Sequence, residues 1–126
     1  MKKIIVTTVL SIMMVVCVTA QQERQRLSVE DQAKNQTERL EKLLNLNASQ
    51  KTKIQALNLD FAKKSSEART ALREDREAMR AKMLEIDKER DKKYKEIFTA
   101  EQFKKYTEDK AEREKQMQER RGQRQS

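Results

Sequence analysis

Carboxylates are the side chains numerous and closely spaced enough here to suggest acid–base chemistry, and Glu85 with Glu89 would share one face of a helix. A working acid–base pair needs surroundings that push its two pKa values apart. These two stand among many carboxylates interleaved with Lys and Arg, the pattern of a solvated exterior. The hydroxyls are no better placed. Ser28, Ser49, Ser65 and Ser66 have no histidine to serve as base, because the sequence contains none, and the single glycine, Gly122, cannot build a phosphate-cradling loop or a nucleophile elbow. Lacking His, and with Cys17 as its one cysteine, the chain also lacks the usual ligands for zinc, copper and haem. The expectation is a non-enzymatic protein with no catalytic residues, no cofactor and no metal.

The first twenty residues carry an address. Lys2 and Lys3 precede an uncharged run, Ile4 to Val18, interrupted only by Thr7, Thr8 and Ser11, and Val18-Thr19-Ala20 supplies the small or β-branched residues of a signal peptidase site. The run is shorter than the roughly 20 residues of a spanning helix, which predicts a signal peptide over 1–20, cleavage after Ala20 and a periplasmic protein. Val16, not a small residue, stands before Cys17, which argues against a lipoprotein. Cleavage removes Cys17, so the mature chain forms no disulfide. It also removes Lys2 and Lys3, taking the formal charge from +8 to +6. A basic exported chain meets unfolded proteins, anionic headgroups and cell-wall polymers rather than nucleic acid.

What remains must be built from helices. Between Gln21 and Arg121 there is no Pro and no Gly, and Ala, Leu, Met, Glu, Lys, Arg and Gln dominate. Starts must therefore be marked by caps. Ser28 with Asp31, Asn47 with Gln50 and Thr99 with Gln102 each place a side chain able to reach back three residues after a capping residue, and Phe98 with Phe103 adds a hydrophobic staple to the third. The spacing predicts helices over 29–44, 48–97 and from 100 to near 119. It also predicts disordered ends at 21–27 and 116–126, leaving one helical domain over 28–115. A 50-residue helix would be about 75 Å long, too long for so small a chain unless it bends, breaks or pairs. Its apolar stripe (Ile54, Leu57, Phe61, Ala68, Leu72, then Met79, Met83, Ile86, Tyr94, Ile97) is broken by Ser65, Asp75 and Arg90. A stripe so narrow predicts a homodimer with a thin, elongated shape. Outside it, Asp60/Lys64, Glu89/Lys93, Asp91/Lys95, Glu101/Lys105 and Asp109/Arg113 have the spacing of solvated ion pairs.

Two segments share a pattern 52 residues apart: Leu46-Asn47-Ala48-Ser49-Gln50 and Phe98-Thr99-Ala100-Glu101-Gln102, the second followed by Phe103-Lys104-Lys105-Tyr106. With the leader and the basic, all-helical chain, this resembles the Spy/CpxP family of periplasmic proteins, whose mark is a doubled Leu-Thr-x-x-Gln motif. The resemblance covers roughly residues 37–110. Asn47 replaces Thr in the first copy and Phe98 replaces Leu in the second; Asn caps a helix as well as Thr does. The resemblance implies a thin, elongated antiparallel dimer of long helical hairpins, curved into a cradle whose basic, partly apolar concave face holds unfolded or partly folded envelope proteins without ATP. Phe61, Leu72, Met79, Met83 and Ile86 are the expected apolar contacts, with Arg69, Arg73, Arg76 and Arg80 as the basic rim. Because the family contains both chaperones and signalling adaptors, an adaptor that binds the sensor of an envelope-stress kinase is the alternative. A structural coiled coil, or a helix seated on anionic headgroups, is a further one.

Overall fold

The computed structural model describes residues 27–124, which fold into four α-helices; no strand occurs among the described residues. The signal peptide expected over 1–20, Cys17 and all but the last residue of the expected 21–27 linker lie outside the described residues, as do residues 125–126. Helix α1 (Val29–Leu44) starts at Ser28, whose Oγ accepts the Asp31 N–H at 3.0 Å. Glu30 and Asp31 lie in its first turn and Lys42 in its last, each matched to the helix dipole. It stops at Asn45, which adopts the left-handed conformation (φ 53°) that Asn tolerates better than most residues.

The 50-residue helix expected over 48–97 is two helices, α2 (Ala48–Ala71) and α3 (Arg76–Ile97). The chain reverses at residues 72–75 with no Gly or Pro to force it. Leu72 still bonds back to Ala68, Asp75 N–H reaches the Leu72 carbonyl at 3.1 Å, and Asp75 Oδ1 accepts the Ala78 N–H at 2.9 Å. Asp is a poor interior residue but a strong N-cap, so the stripe's interruption at Asp75 is the start of a new helix. The interruption at Arg90 breaks nothing. Helix α4 (Ala100–Gln123) runs past 119: residues 116–123, expected as a disordered tail, are helical and exposed on every side.

Cross-helix pairs fix the directions. Asn58 meets Thr37, Lys64 meets Glu89, Arg39 meets Asp109 and Asp91 meets Tyr106, so α2 is antiparallel to α1 and α3, and α4 is antiparallel to both as well. The main core gathers where the loops 45–47 and 98–99 meet: Leu40, Leu44, Leu46, Ile54, Tyr94, Phe98 and Tyr106 are buried together. Tyr94 and Tyr106 stack edge to face at 5.2 Å, with Phe98 and Phe103 completing an aromatic group. A smaller cluster of Phe61, Ala68 and Ile86, covered by Leu57 and Met83, lies between α2 and α3 toward the 72–75 turn. The stripe thus folds back on itself within one chain, and much of it is buried without a partner.

Candidate functional site

The two related segments come together in space and cap their helices in the same way. Asn47 Oδ1 accepts the Gln50 N–H at 2.8 Å while Gln50 Oε1 accepts the Asn47 N–H at 3.1 Å. Thr99 and Gln102 repeat this at 3.2 and 3.0 Å. Both are complete capping boxes. The glutamines also bond to each other. Gln50 Nε2 donates to Gln102 Oε1 at 2.7 Å, and Gln102 Nε2 donates to Gln50 Oε1 at 3.2 Å. Their remaining N–H groups reach across to the last turns: Gln50 to the Ile97 carbonyl and Gln102 to the Leu44 carbonyl, both at 3.2 Å. Carbonyls at helix ends lack intrahelical partners, so each motif satisfies the start of its own helix and the end of the other hairpin's first helix. Leu46 and Phe98, which open the motifs, are buried in the core.

A buried polar chain runs beside this junction. Asn58 Nδ2 donates to Thr37 Oγ1 at 2.9 Å, Thr37 donates to the Ala33 carbonyl at 2.8 Å, and the Tyr94 hydroxyl donates to Asn58 Oδ1. Tyr106 donates to Asp91 at 2.7 Å, and Lys110 ties Asp91 to Asp87, which also holds Arg90. Burial pushes the Tyr94 phenol up to about 12 and raises that of Tyr106 still further, with the bond to Asp91 adding to the rise. Burial alone would lower the Lys110 pKa, but its bonds to Asp87 and Asp91 outweigh this and the net shift is upward. These groups hold their protons through the physiological range and serve as fixed donors. Glu85 and Glu89 are each bonded to a lysine, Lys82 at 3.0 Å and Lys64 at 2.9 Å. Of the ion pairs expected along single helices, Asp60/Lys64 and Asp109/Arg113 form, whereas Glu89 and Asp91 are recruited by other helices.

Toward the 72–75 turn the core gives way to open grooves. One, of about 970 Å³, lies between the start of α1 and the α2/α3 end; Leu27, Val29 and Met79 give it an apolar wall, and Arg69 and Arg73 a basic one. A second, of about 400 Å³, shares Leu27, Gln32 and Arg69 with it and has Phe61 and Met83 at its apolar side. A third, of about 520 Å³, is lined by Ala71, Leu72 and Ile86 beside Lys64 and Lys82. Of the nine expected contact residues, Met79, Arg69 and Arg73 therefore meet in one groove, Phe61 and Met83 lie along its neighbour, and Leu72 and Ile86 line the third. Arg76 and Arg80 are exposed and line none of the three. Phe61 and Ile86 are 3% and 4% exposed, core residues that show only an edge.

Sequence pattern did not single out Leu27, Asn58, Arg39 or Arg90 as a group. Leu27 looked like part of a linker, and the other three are polar residues whose meeting depends on which helix faces cross.

No helix among the described residues is long and apolar enough to cross a membrane. A family described as a domain of unknown function (DUF4890) matches residues 19–106, a span that contains both capping motifs, and the chain belongs to that family. No curated protein and no solved structure matches the chain.

Proposed function

We propose that this DUF4890 protein is an exported, chaperone-like protein that holds unfolded or partly folded envelope proteins, without ATP, in the grooves at the α2/α3 end of its helical hairpin. One observation carries the reading: at that end Met79 and Leu27 border an open groove of about 970 Å³ together with Arg69 and Arg73. Met is flexible and polarizable, which suits contact with many different apolar side chains. The flanking arginines attract acidic segments and speed encounter, more strongly at low salt. The likeness of the doubled capping motif to that of the Spy/CpxP proteins supports the same assignment. Leu84 and Met117, 58% and 54% exposed on α3 and α4, leave apolar surface for a second copy, and an antiparallel homodimer belongs to this proposal. The groove is concave and mixed in character, which favours a polypeptide over a flat lipid surface or nucleic acid.

The test is turbidity of an aggregating, unfolded client with and without purified residues 21–126, at low and high salt and without ATP. Suppression near equal molar ratio that weakens in salt is the expected result. No suppression at several-fold excess would reject the chaperone reading in favour of an adaptor, and recovery of one stoichiometric membrane sensor from an envelope extract would then identify it.

A further inference from the structure

The groove of about 400 Å³ beside α1 is walled by two arginines from different helices, Arg39 on α1 and Arg90 on α3, with Arg69 of α2 at its junction with the larger groove. We propose that this groove is a carboxylate-binding site, in which Arg39 and Arg90 grip an Asp or Glu side chain of a bound acidic polypeptide. The inference rests on the reading above in one respect only, that the carboxylate arrives on a polypeptide.

Charge is the first argument. The ion-paired group behind the groove sets Arg39, Arg90, Lys110 and Arg113 against Asp87, Asp91 and Asp109, four positive charges to three negative, before Arg69 is counted. The surplus is placed where water is partly excluded: the Arg39 and Arg90 side chains are only 33% and 28% exposed. Electrostatic attraction is stronger in such a setting than on an open surface.

Hydrogen bonding is the second. Among the described residues, Arg39 Nε and Arg90 Nε are buried without a hydrogen-bond acceptor, and the buried terminal nitrogen of Arg39 has only its ion pair with Asp109. Among the described residues Arg39 forms one ion pair, with Asp109 at 3.2 Å, and Asp109 is already bonded by Arg113 Nε at 2.8 Å. A carboxylate that reaches either Nε therefore meets a donor that no acceptor among the described residues holds, while the Arg39–Asp109 and Arg90–Asp87 pairs stay on the terminal nitrogens. The planar fork of an arginine matches the two oxygens of a carboxylate. Asn35 and Gln36 on the same wall can supply further N–H donors. Phe61 and Met83 opposite offer room for the apolar residue next to the acid.

The experiment is fluorescence anisotropy of a labelled peptide alternating Glu and Leu, titrated with the purified protein, beside the same peptide with Gln for each Glu. Tighter binding of the Glu peptide by about tenfold is expected, the scale of a charge-assisted hydrogen bond. Arg39→Gln should abolish most of that preference and Arg39→Lys should restore only part of it, since charge returns without the fork. Arg80→Gln, which lies outside the grooves, should leave it unchanged. Thermal melts accompany each variant, and if Arg39→Gln does not fold, Arg69→Gln, exposed at the lip, takes its place with the same expectation. Free glutamate should compete weakly and free phosphate no better; strong competition by phosphate would overturn the carboxylate assignment. Equal affinity for the two peptides, or a preference that survives in both Arg39→Gln and Arg69→Gln, would also overturn it. If the peptides bind equally while client aggregation is still suppressed, the carboxylate site fails alone. If neither peptide binds and clients aggregate freely, the function proposed above fails with it.

Discussion

Gln102→Ala and Gln50→Ala, made singly and together, probe the bond that joins the two capping motifs. Gln102 takes part in four contacts: two with Gln50, one with the Leu44 carbonyl and one with the Thr99 N–H. Each neutral hydrogen bond is worth a net ~1 kcal/mol or somewhat less when partly exposed, so either single variant should lose about 2 to 3 kcal/mol. The two Gln–Gln bonds vanish in each single variant but can be lost only once in the double. The double variant should therefore lose about 1 to 2 kcal/mol less than the sum of the singles. Urea unfolding followed by far-ultraviolet circular dichroism measures this, provided the slope is the same for all four proteins. Additivity within about 0.5 kcal/mol, the behaviour of independent sites, would refute the coupling and reduce each motif to an isolated helix cap.

Tyr94→Phe leaves Asn58 Oδ1 buried without its donor and should cost about 1 to 3 kcal/mol by the same denaturation. Tyr94 and Tyr106 are the two tyrosines of the sequence, so phenolate absorbance reports on them alone. With the folded-state pKa of Tyr94 raised to about 12 from 10.0, its contribution is intact below pH 10 and is lost as pH rises from 10 to 12. The loss is on the order of 3 kcal/mol, and phenolate should appear together with unfolding; ionisation of both phenols near pH 10 with helicity unchanged would contradict their burial. Asp75→Ala removes the cap at the hairpin turn and should lower stability by about 1 kcal/mol.

The positions of the caps were legible because capping chemistry is local: Ser28, Asn47 and Thr99 each begin a helix at the predicted residue. The reversal at 72–75 was half legible. Asp75 interrupts the stripe as Arg90 does, and pattern alone does not distinguish a polar residue that caps a new helix from one that simply tolerates partial burial. Low apolar content points to disorder in the tail, whereas α4 carries good helix formers, Glu112/Gln116 pairing and Arg120 and Arg121 in its last turn. The glutamine pair was visible as two Gln at matching offsets, but its reciprocal bonding depends on how the two hairpins dock. Arg39 and Arg90 were beyond sequence reasoning altogether: among 29 Lys and Arg residues, which two face a common groove is decided by helix crossing, not by spacing.

Whether the groove at the hairpin's free end holds polypeptide is read most directly from client affinity set beside melting temperature for the Met79→Gln/Arg73→Gln double variant. Both residues line that groove, Arg73 exposed and Met79 half-buried, while Met83→Gln serves as contrast because Met83 packs on the Phe61, Ala68 and Ile86 cluster. The double variant should bind an unfolded client about tenfold more weakly, roughly 1.4 kcal/mol, with its melting temperature nearly unchanged, whereas Met83→Gln should melt earlier. Unaltered client affinity in a stable Met79→Gln/Arg73→Gln protein would contradict polypeptide binding in that groove.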